Sequence, residues 1–156
     1  MKLSRRVLII LGILIAVVPV SWAYTSIQLA VARSKGIFAT PEQGMVAIID
    51  KAYAPDRTVK FLYAGTNSMN GNQPHVWYVI AEVRASARAD GSQLQKNGCD
   101  APGSFFLQMK QGWVTVPEEA LPGFMGFWMK VFGMAGDGQA TPSTNWESGQ
   151  EPDFCQ

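Results

Sequence analysis

The feature that most limits the fold of this chain is an uncharged stretch from Val7 to Ala32, which reads VLIILGILIAVVPVSWAYTSIQLAVA. As a helix, about 26 residues at about 1.5 Å each extend roughly 39 Å, more than the roughly 30 Å hydrocarbon core of a bilayer. Lys2, Arg5 and Arg6 precede the stretch, and no acidic residue occurs before it or within it. An apolar run behind a basic head predicts a membrane-targeting helix rather than the core helix of a cytosolic protein.

Two interpretations of this segment differ in whether it is retained. In the first, residues 1–33 form an uncleaved signal anchor that contacts the membrane through residues 7–32 and keeps its basic head in the cytoplasm. In the second, a signal peptide is cleaved after Ala23, because Ser21 and Ala23 are small residues of the kind that a signal peptidase reads and Pro19 is expected to end the apolar helix just before them. The uncharged stretch continues past Ala23, which favours the anchor. Both predict that the remaining chain lies outside the cytoplasm, either attached to the cell membrane or secreted.

The distribution of charge agrees with a basic head in the cytoplasm and export of the remaining chain. Residues 1–36 contain five basic and no acidic residues, whereas residues 37–156 contain eight basic and twelve acidic residues, a net charge of −4. Nucleic-acid binding draws most of its affinity from Lys and Arg, so a mildly acidic body argues against a nucleic-acid partner.

The two cysteines, Cys99 and Cys155, both fall in the part predicted to be exported. Outside the cytoplasm such a pair is most simply a disulfide, which would fix the irregular C-terminal tail, residues 135–156, to the middle of the domain. Two unpaired thiols are the alternative. The pair lacks the CxxC spacing that is typical of redox catalysis.

Patterns of helix and strand fill residues 40–134, which follow a short linker at residues 34–39. Thr40-Pro41-Glu42-Gln43 matches a capping box and predicts a helix that ends near Tyr53. A second helix is predicted from apolar residues at i, i+3, i+4, i+7 and i+8, namely Phe124, Phe127, Trp128, Val131 and Phe132.

Between the two helices, alternating apolar residues predict three to four strands. In residues 58–63, Val59, Phe61 and Tyr63 are expected on one face. The longest strand spans residues 75–88, with Trp77, Val79, Ala81 and Val83 on one face and Tyr78, Ile80, Glu82 and Arg84 on the other. Further strands are expected at residues 104–110 and 113–116, and residues 89–103 read as a loop. The fold class is therefore α+β: an N-terminal transmembrane or signal helix, a helix, an antiparallel meander and a C-terminal helix, with the helices on one face of the sheet.

This order of elements resembles cystatin-like and NTF2-like domains, in which a helix lies in the concave side of a curved antiparallel sheet. The segments GWVTVPE (residues 112–118) and GFWMKVFG (residues 126–133) are also similar to segments of small uncharacterised membrane-anchored extracytoplasmic proteins of Gram-positive bacteria. The similarity covers about a fifth of the chain. It implies no known activity, so no residue receives a functional role from it.

The sequence carries few residues in catalytic patterns. His75 is the only histidine and has no Asp, Glu or Cys at metal-ligand spacing, so we expect a histidine at the surface and neither a metal nor a cofactor. A lone general base would need His75 with Glu82 or Asp100 as an orienting acid. Motifs for a nucleophile, a P-loop or a dinucleotide site are missing from the sequence. The pattern therefore favours a protein without catalytic activity.

The aromatic helix is the remaining candidate for an interaction face, formed by Phe124, Phe127, Trp128 and Phe132. Met125 and Met129 are expected to add adaptable apolar surface beside it. The alternative is that these aromatic residues pack in the core.

The sequence leaves two hypotheses of function. The first is a membrane-tethered extracytoplasmic domain that binds a protein or ligand at the cell envelope. The second is an exported small enzyme or small-molecule binder with a pocket between the sheet and the helix at residues 40–53. That pocket would use His75, Tyr63, Tyr78 and Glu82.

Overall fold

A computed structural model describes residues 5–66, 73–95, 98–138 and Cys155 of the chain. Three α-helices occur in this part: α1 (Arg5–Lys35), α2 (Pro41–Ala52) and α3 (Pro122–Val131), the last preceded by a 3-10 turn at Glu118–Ala120. Five strands form one antiparallel sheet: β1 (Thr58–Gly65), β2 (Val76–Arg84), β3 (Cys99–Asp100), β4 (Gly103–Met109) and β5 (Gly112–Val116). The predicted α+β class and its order of elements are confirmed. Most of the predicted tail, residues 139–154 and 156, lies outside the described residues.

The long helix α1 continues through Pro19, which does not end it, and has two different environments along its length. Residues 15–20 are all exposed, and six consecutive exposed residues cover the whole circumference of a helix. From Ser21 onward, one face is buried at Ser21, Thr25, Leu29 and Ala32, and this half packs against β5 and α3. By length and composition, the segment Ile15–Lys35 is sufficient to cross a membrane.

A tight connection joins α1 to α2. The segment predicted as a linker begins with the last two residues of α1, Ser34 and Lys35, and Gly36 follows in a left-handed conformation (φ 133°). Phe38 then pairs with Trp113 at the edge of β5: its N–H donates to the Trp113 carbonyl at 2.8 Å, and its carbonyl accepts from the Trp113 N–H at 2.7 Å. This backbone pair closes part of an edge that would otherwise be open to solvent.

Helix α2 begins where its cap predicts. Thr40 has extended backbone angles, and its hydroxyl oxygen accepts a hydrogen bond from the Gln43 N–H at 3.3 Å. Pro41 takes the first helical position, where the N–H that it lacks has no partner in a helix. Met45 and Ile49, one turn apart, are the fully buried apolar residues of α2.

The strand order in the sheet is β1-β2-β4-β5, and β3 pairs with the far end of β2, beyond β4. The short β3 lies inside residues 89–103, so the expectation of a continuous loop there is wrong. A bulge between Phe61 and Tyr63 also changes β1: Phe61 pairs with Ala81, whereas Tyr63 pairs with Ile80. Because directly opposed residues share a face, Tyr63 lies on the other side of the sheet from Phe61, and the predicted common face is wrong.

Helices cover both faces of the sheet. The predicted face of β2 that contains Trp77, Val79, Ala81 and Val83 packs with Met45, Ile49 and Tyr53 from the α2 segment. The opposite face, with Val76 and Leu107, packs with Leu29 and Ala32 of α1 and with Met125 and Met129 of α3. The expectation of helices on one face is therefore wrong, because both faces of the central strands are apolar and each needs a cover.

Two glycines let these helices approach the sheet closely. A Cβ atom on Gly44 of α2 would lie 2.4 Å from Phe106 Cε1 and 2.9 Å from Phe38 Cδ2. A Cβ atom on Gly126 of α3 would lie 2.5 Å from Val76 Cγ2. Each helix is thus fixed at a separation from the sheet that only glycine permits.

We predict that Gly44→Ala lowers the free energy of unfolding by about 1–2 kcal/mol, because a methyl group that overpacks a closed core costs about 1–3 kcal/mol. The gain of about 1 kcal/mol that alanine brings to a helix interior offsets part of this cost. Urea unfolding of the full chain in detergent, followed by near-UV circular dichroism, measures the change.

The matched control for this substitution is Gly12→Ala, since no atom lies within 4 Å of a Cβ at Gly12. We expect unchanged stability of the domain. A Gly44→Ala protein as stable as the wild type would contradict the close approach of α2.

Candidate interaction surfaces

Helix α3 buries its methionines and exposes its phenylalanines. Pro122, Met125, Gly126 and Met129 form the buried side of the helix. The expectation that Met125 and Met129 add accessible surface is wrong, because both are fully buried against the sheet. Their flexible thioether side chains pack in one cluster with Val76 and Leu107 of the sheet.

The outer side of α3 is aromatic, and we call Phe124, Phe127, Trp128, Val131 and Phe132 the α3 aromatic face. Phe127 is 54 % exposed, and the other phenylalanines of this face are also exposed. Trp128 is half-buried and joins the rings: it stacks on Phe132 with centroids 5.3 Å apart and meets Phe127 edge-on at 5.5 Å. Three of the four predicted interaction residues are thus accessible, and the fourth supports them.

An apolar groove connects α1 to the beginning of α3. Its volume is about 460 Å³, and it is lined by Ala16, Val17, Val20, Ser21, Tyr24, Leu121 and Phe124. The rings of Tyr24 and Phe124 lie 6.3 Å apart, and the Tyr24 hydroxyl donates to the Glu119 carbonyl at 3.5 Å. The groove therefore makes the exposed part of α1 and the α3 aromatic face one continuous apolar surface. Local sequence patterns do not predict this junction, because its two sides are about a hundred residues apart in the chain.

A second groove lies between α2 and the sheet, where one of the two hypotheses expected a pocket. We call it the α2 groove; its volume is about 560 Å³, and it is lined by Lys35, Phe38, Ala47, Ile48, Lys51, Ala52, Ser104, Thr115, Val116 and Pro117. Most of this lining is apolar, Ser104 and Thr115 add hydroxyl groups, and Lys35 and Lys51 add two ammonium groups. No carboxylate is among these described lining residues, so the groove favours an anionic group over a cationic one.

The residues predicted for such a pocket do not line the α2 groove. Tyr78 and Glu82 lie on the face of β2 that points away from α2, and the bulge in β1 puts Tyr63 on that same face. A groove does lie between α2 and the sheet, but Tyr63, Tyr78 and Glu82 belong to the other side of the sheet.

His75 is buried rather than at the surface, with 8 % of its side chain exposed. Burial lowers the pKa of His75, the nearby Lys130 lowers it further, and Asp137 opposes them. The Nδ1 atom is buried and has no hydrogen-bond partner among the described residues.

Glu82 does not orient His75. It lies seven residues farther along the chain, roughly 23 Å in an extended strand. Its carboxylate accepts from Arg84 Nε at 2.8 Å and from the Cys155 N–H at 3.2 Å. The bond from Arg84 and the weaker one from Cys155 lower the pKa of Glu82.

Asp100, the other acid considered for His75, is the centre of a structural network. Its Oδ2 accepts from Arg88 Nη2 at 2.7 Å, Arg88 Nε at 3.0 Å and the Tyr53 hydroxyl at 3.2 Å, and its Oδ1 accepts from the Gln95 N–H at 2.8 Å. Burial alone would raise the pKa of Asp100, but the bonds from Gln95 and Arg88 outweigh burial and hold the pKa below its usual value. The network ties the end of α2 to the segment before β3.

The predicted disulfide between Cys99 and Cys155 is confirmed, with Cα atoms 5.6 Å apart. The bond closes a loop between residues 56 apart in sequence, which the chain-entropy account values at about 4 kcal/mol of stability. Among the described residues, no group of three or more His, Cys, Asp or Glu side chains is arranged to hold a metal ion.

Comparison with protein-family models, with curated proteins and with solved structures finds no match to this chain.

We predict that the two sides of α3 respond differently to truncation. Met129→Ala should lower the free energy of unfolding by about 2–5 kcal/mol, because it leaves a cavity in a closed core. Phe127→Ala should cost about 1 kcal/mol or less, since it loses one ring contact at the surface. Urea unfolding of both full-length variants tests this order, and a larger loss for Phe127→Ala would reverse the assignment of the two sides.

We also predict that Asp100→Asn lowers the free energy of unfolding by about 1–3 kcal/mol at pH 7, because it removes a charged acceptor of four hydrogen bonds. The folded state lowers the pKa of Asp100, so its stabilisation is complete above the unfolded pKa of about 3.9 and is lost as the pH falls through the lower folded pKa. The variant should therefore lose less stability than the wild type between pH 5 and pH 2 in urea titrations.

The control is Asp50→Asn at the exposed Arg57 ion pair, which should change the unfolding free energy at pH 7 by less than about 1 kcal/mol. Equal losses from the two substitutions would contradict the central role of Asp100.

Proposed function

We propose that this chain is a single-pass membrane protein that holds a ligand-binding domain at the outer face of the cell membrane. The observation that carries the proposal is that α1 is one continuous helix that extends beyond the domain. Its residues 15–20 are apolar or small, and their side chains are exposed around the whole helix. Apolar side chains exposed around a whole helix favour a lipid environment. The basic residues Lys2, Arg5 and Arg6 then remain on the cytoplasmic side.

Retention of α1 is favoured over cleavage after Ala23. The helix runs through this position without a break, and Ser21 is already buried against the domain. The disulfide supports export of the domain, because such bonds persist outside the reducing cytoplasm.

The α2 groove is the ligand site that we propose. Its volume of about 560 Å³ falls within the range of small-molecule sites, and its lining combines an apolar wall with Lys35 and Lys51. A ligand with an apolar body and one anionic group matches that lining. Catalysis has less support, since the candidate residues His75 and Glu82 are apart and neither lines the groove.

The test titrates the full chain in lipid nanodiscs with 1-anilinonaphthalene-8-sulfonate, which has an apolar body and a sulfonate, and reads its fluorescence enhancement above empty nanodiscs. The double variant Lys35→Glu/Lys51→Glu should bind the probe at least about tenfold more weakly, equivalent to about 1.4 kcal/mol. Ala47→Trp should abolish saturable binding because the indole fills the groove.

Two controls distinguish the contribution of the lysine charges to probe binding from the contribution of the shape of the groove. Lys60→Glu, at an exposed position of β1, should leave binding unchanged. The uncharged probe N-phenyl-1-naphthylamine should be insensitive to the lysine reversals but sensitive to Ala47→Trp. Identical binding curves for the wild type and Ala47→Trp would rule out the α2 groove as the site.

A further inference from the structure

We propose that the beginning of α3 is a second membrane contact, in which Leu121, Phe124 and Phe127 insert into the outer leaflet beside α1. This inference rests on the proposed anchor and adds a surface that the anchor alone does not require. Lipid is the proposed occupant of the apolar junction between α1 and α3.

Helix α1 determines how deep the domain lies in the membrane. The charged head ends at Arg6, so the hydrocarbon core begins at about Val7. At about 1.5 Å per residue, a core of roughly 30 Å is crossed in about 20 residues, which reaches about Ser26. A tilt of about 20° adds only one or two residues and moves the outer boundary farther along α1.

The groove between the two helices determines the position of α3 along α1. Leu121 and Phe124 line the same groove as Val17, Val20 and Tyr24, all of which precede Ser26. Since α1 packs on the domain as one continuous helix, this contact fixes the beginning of α3 to the last turns of the spanning segment. A bilayer around α1 therefore reaches Leu121 and Phe124 without any movement of the domain. Phe127 follows Phe124 by one turn on the same side of α3.

The exposed side chains at the beginning of α3 are apolar. Leu121 is 59 % exposed and Phe127 is 54 % exposed, although a soluble domain would gain by burying such side chains. Helices that lie in the membrane interface usually turn a polar side to water. In α3 the corresponding side consists of Met125, Gly126 and Met129, and it packs on the domain core. The helix therefore has one apolar side for the protein and another for lipid.

The charged residues near α3 lie where headgroups would contact them. Glu118 and Glu119 are exposed in the 3-10 turn, and the Glu119 carbonyl accepts from the Tyr24 hydroxyl about two residues below the expected boundary. Lys130, the single charge within α3, is exposed near its other end. An aromatic cluster between charged flanks is typical of the membrane interface.

The experiment places the photoreactive residue p-benzoylphenylalanine at single positions of the full chain, reconstituted into vesicles of phosphatidylcholine and phosphatidylglycerol. Illumination followed by intact-mass spectrometry detects lipid adducts. Val17 reports on the anchor, Phe124 and Phe127 report on α3, and Val46, exposed on α2 at the other face of the sheet, is the matched control. We expect lipid adducts at Val17, Phe124 and Phe127, each at least about tenfold above the yield at Val46.

Each other outcome identifies a specific failure. Adducts at Val17 with Phe124 and Phe127 at the Val46 level would overturn the α3 contact and leave the anchor intact. Loss of adducts at Val17 as well would overturn the anchor and the contact together. Crosslinks of chain to chain at Phe127, in place of lipid adducts, would show that a second copy covers this surface and would also overturn the inference.

Discussion

The packing of the second half of α1 on the sheet is the constraint on which the other surfaces depend. Small or apolar side chains at Ser21, Thr25, Leu29 and Ala32 form one buried stripe against β5 and its neighbours. Small residues in such a stripe allow close approach between helix and sheet. The N-terminal half of the same helix extends beyond the domain and exposes apolar side chains. The packing of the second half therefore sets the orientation of the whole domain relative to this exposed half. The height of α3 and the position of Lys35 beside the α2 groove both follow from it.

Local patterns predicted the elements well and their faces less well. The Thr40 cap, the alternation along β2 and the helix near Phe124 all arise from interactions within a few residues, so the sequence contains their signals. The bulge after Phe61 has no such signal, since it depends on pairing with β2. In α3, the methionines and the aromatic residues both recur with a helical period, so the sequence pattern allows either set to be the buried side. The close approach at Gly126 decided between them, and that approach is a property of the packed structure.

The candidate surfaces depend even more on tertiary structure. Lys35 and Lys51 belong to different helices and share a groove because the chain turns back at Gly36 and pairs Phe38 with Trp113. Likewise, Tyr24 and Phe124 are a hundred residues apart in sequence. The acids considered as partners for His75 have other roles, Glu82 beside the Cys155 end of the disulfide and Asp100 with Arg88. Residue type alone left both acids open as partners of His75, whereas their contacts tie Glu82 to Arg84 and Cys155 and tie Asp100 to Arg88.

The direct passage from α1 into the domain has a consequence for how such a protein would search for its ligand. A flexible tether lets a domain sample a hemisphere above the membrane, with a radius that grows with tether length. Here α1 and the domain turn as one body, because the connection to α2 is tied to Trp113 by two hydrogen bonds. The proposed groove would then stay at a constant height above the lipid, and lateral diffusion would move it only within a plane parallel to the membrane. Ligands that enter or leave the bilayer would cross that plane, whereas ligands deeper in the envelope would not.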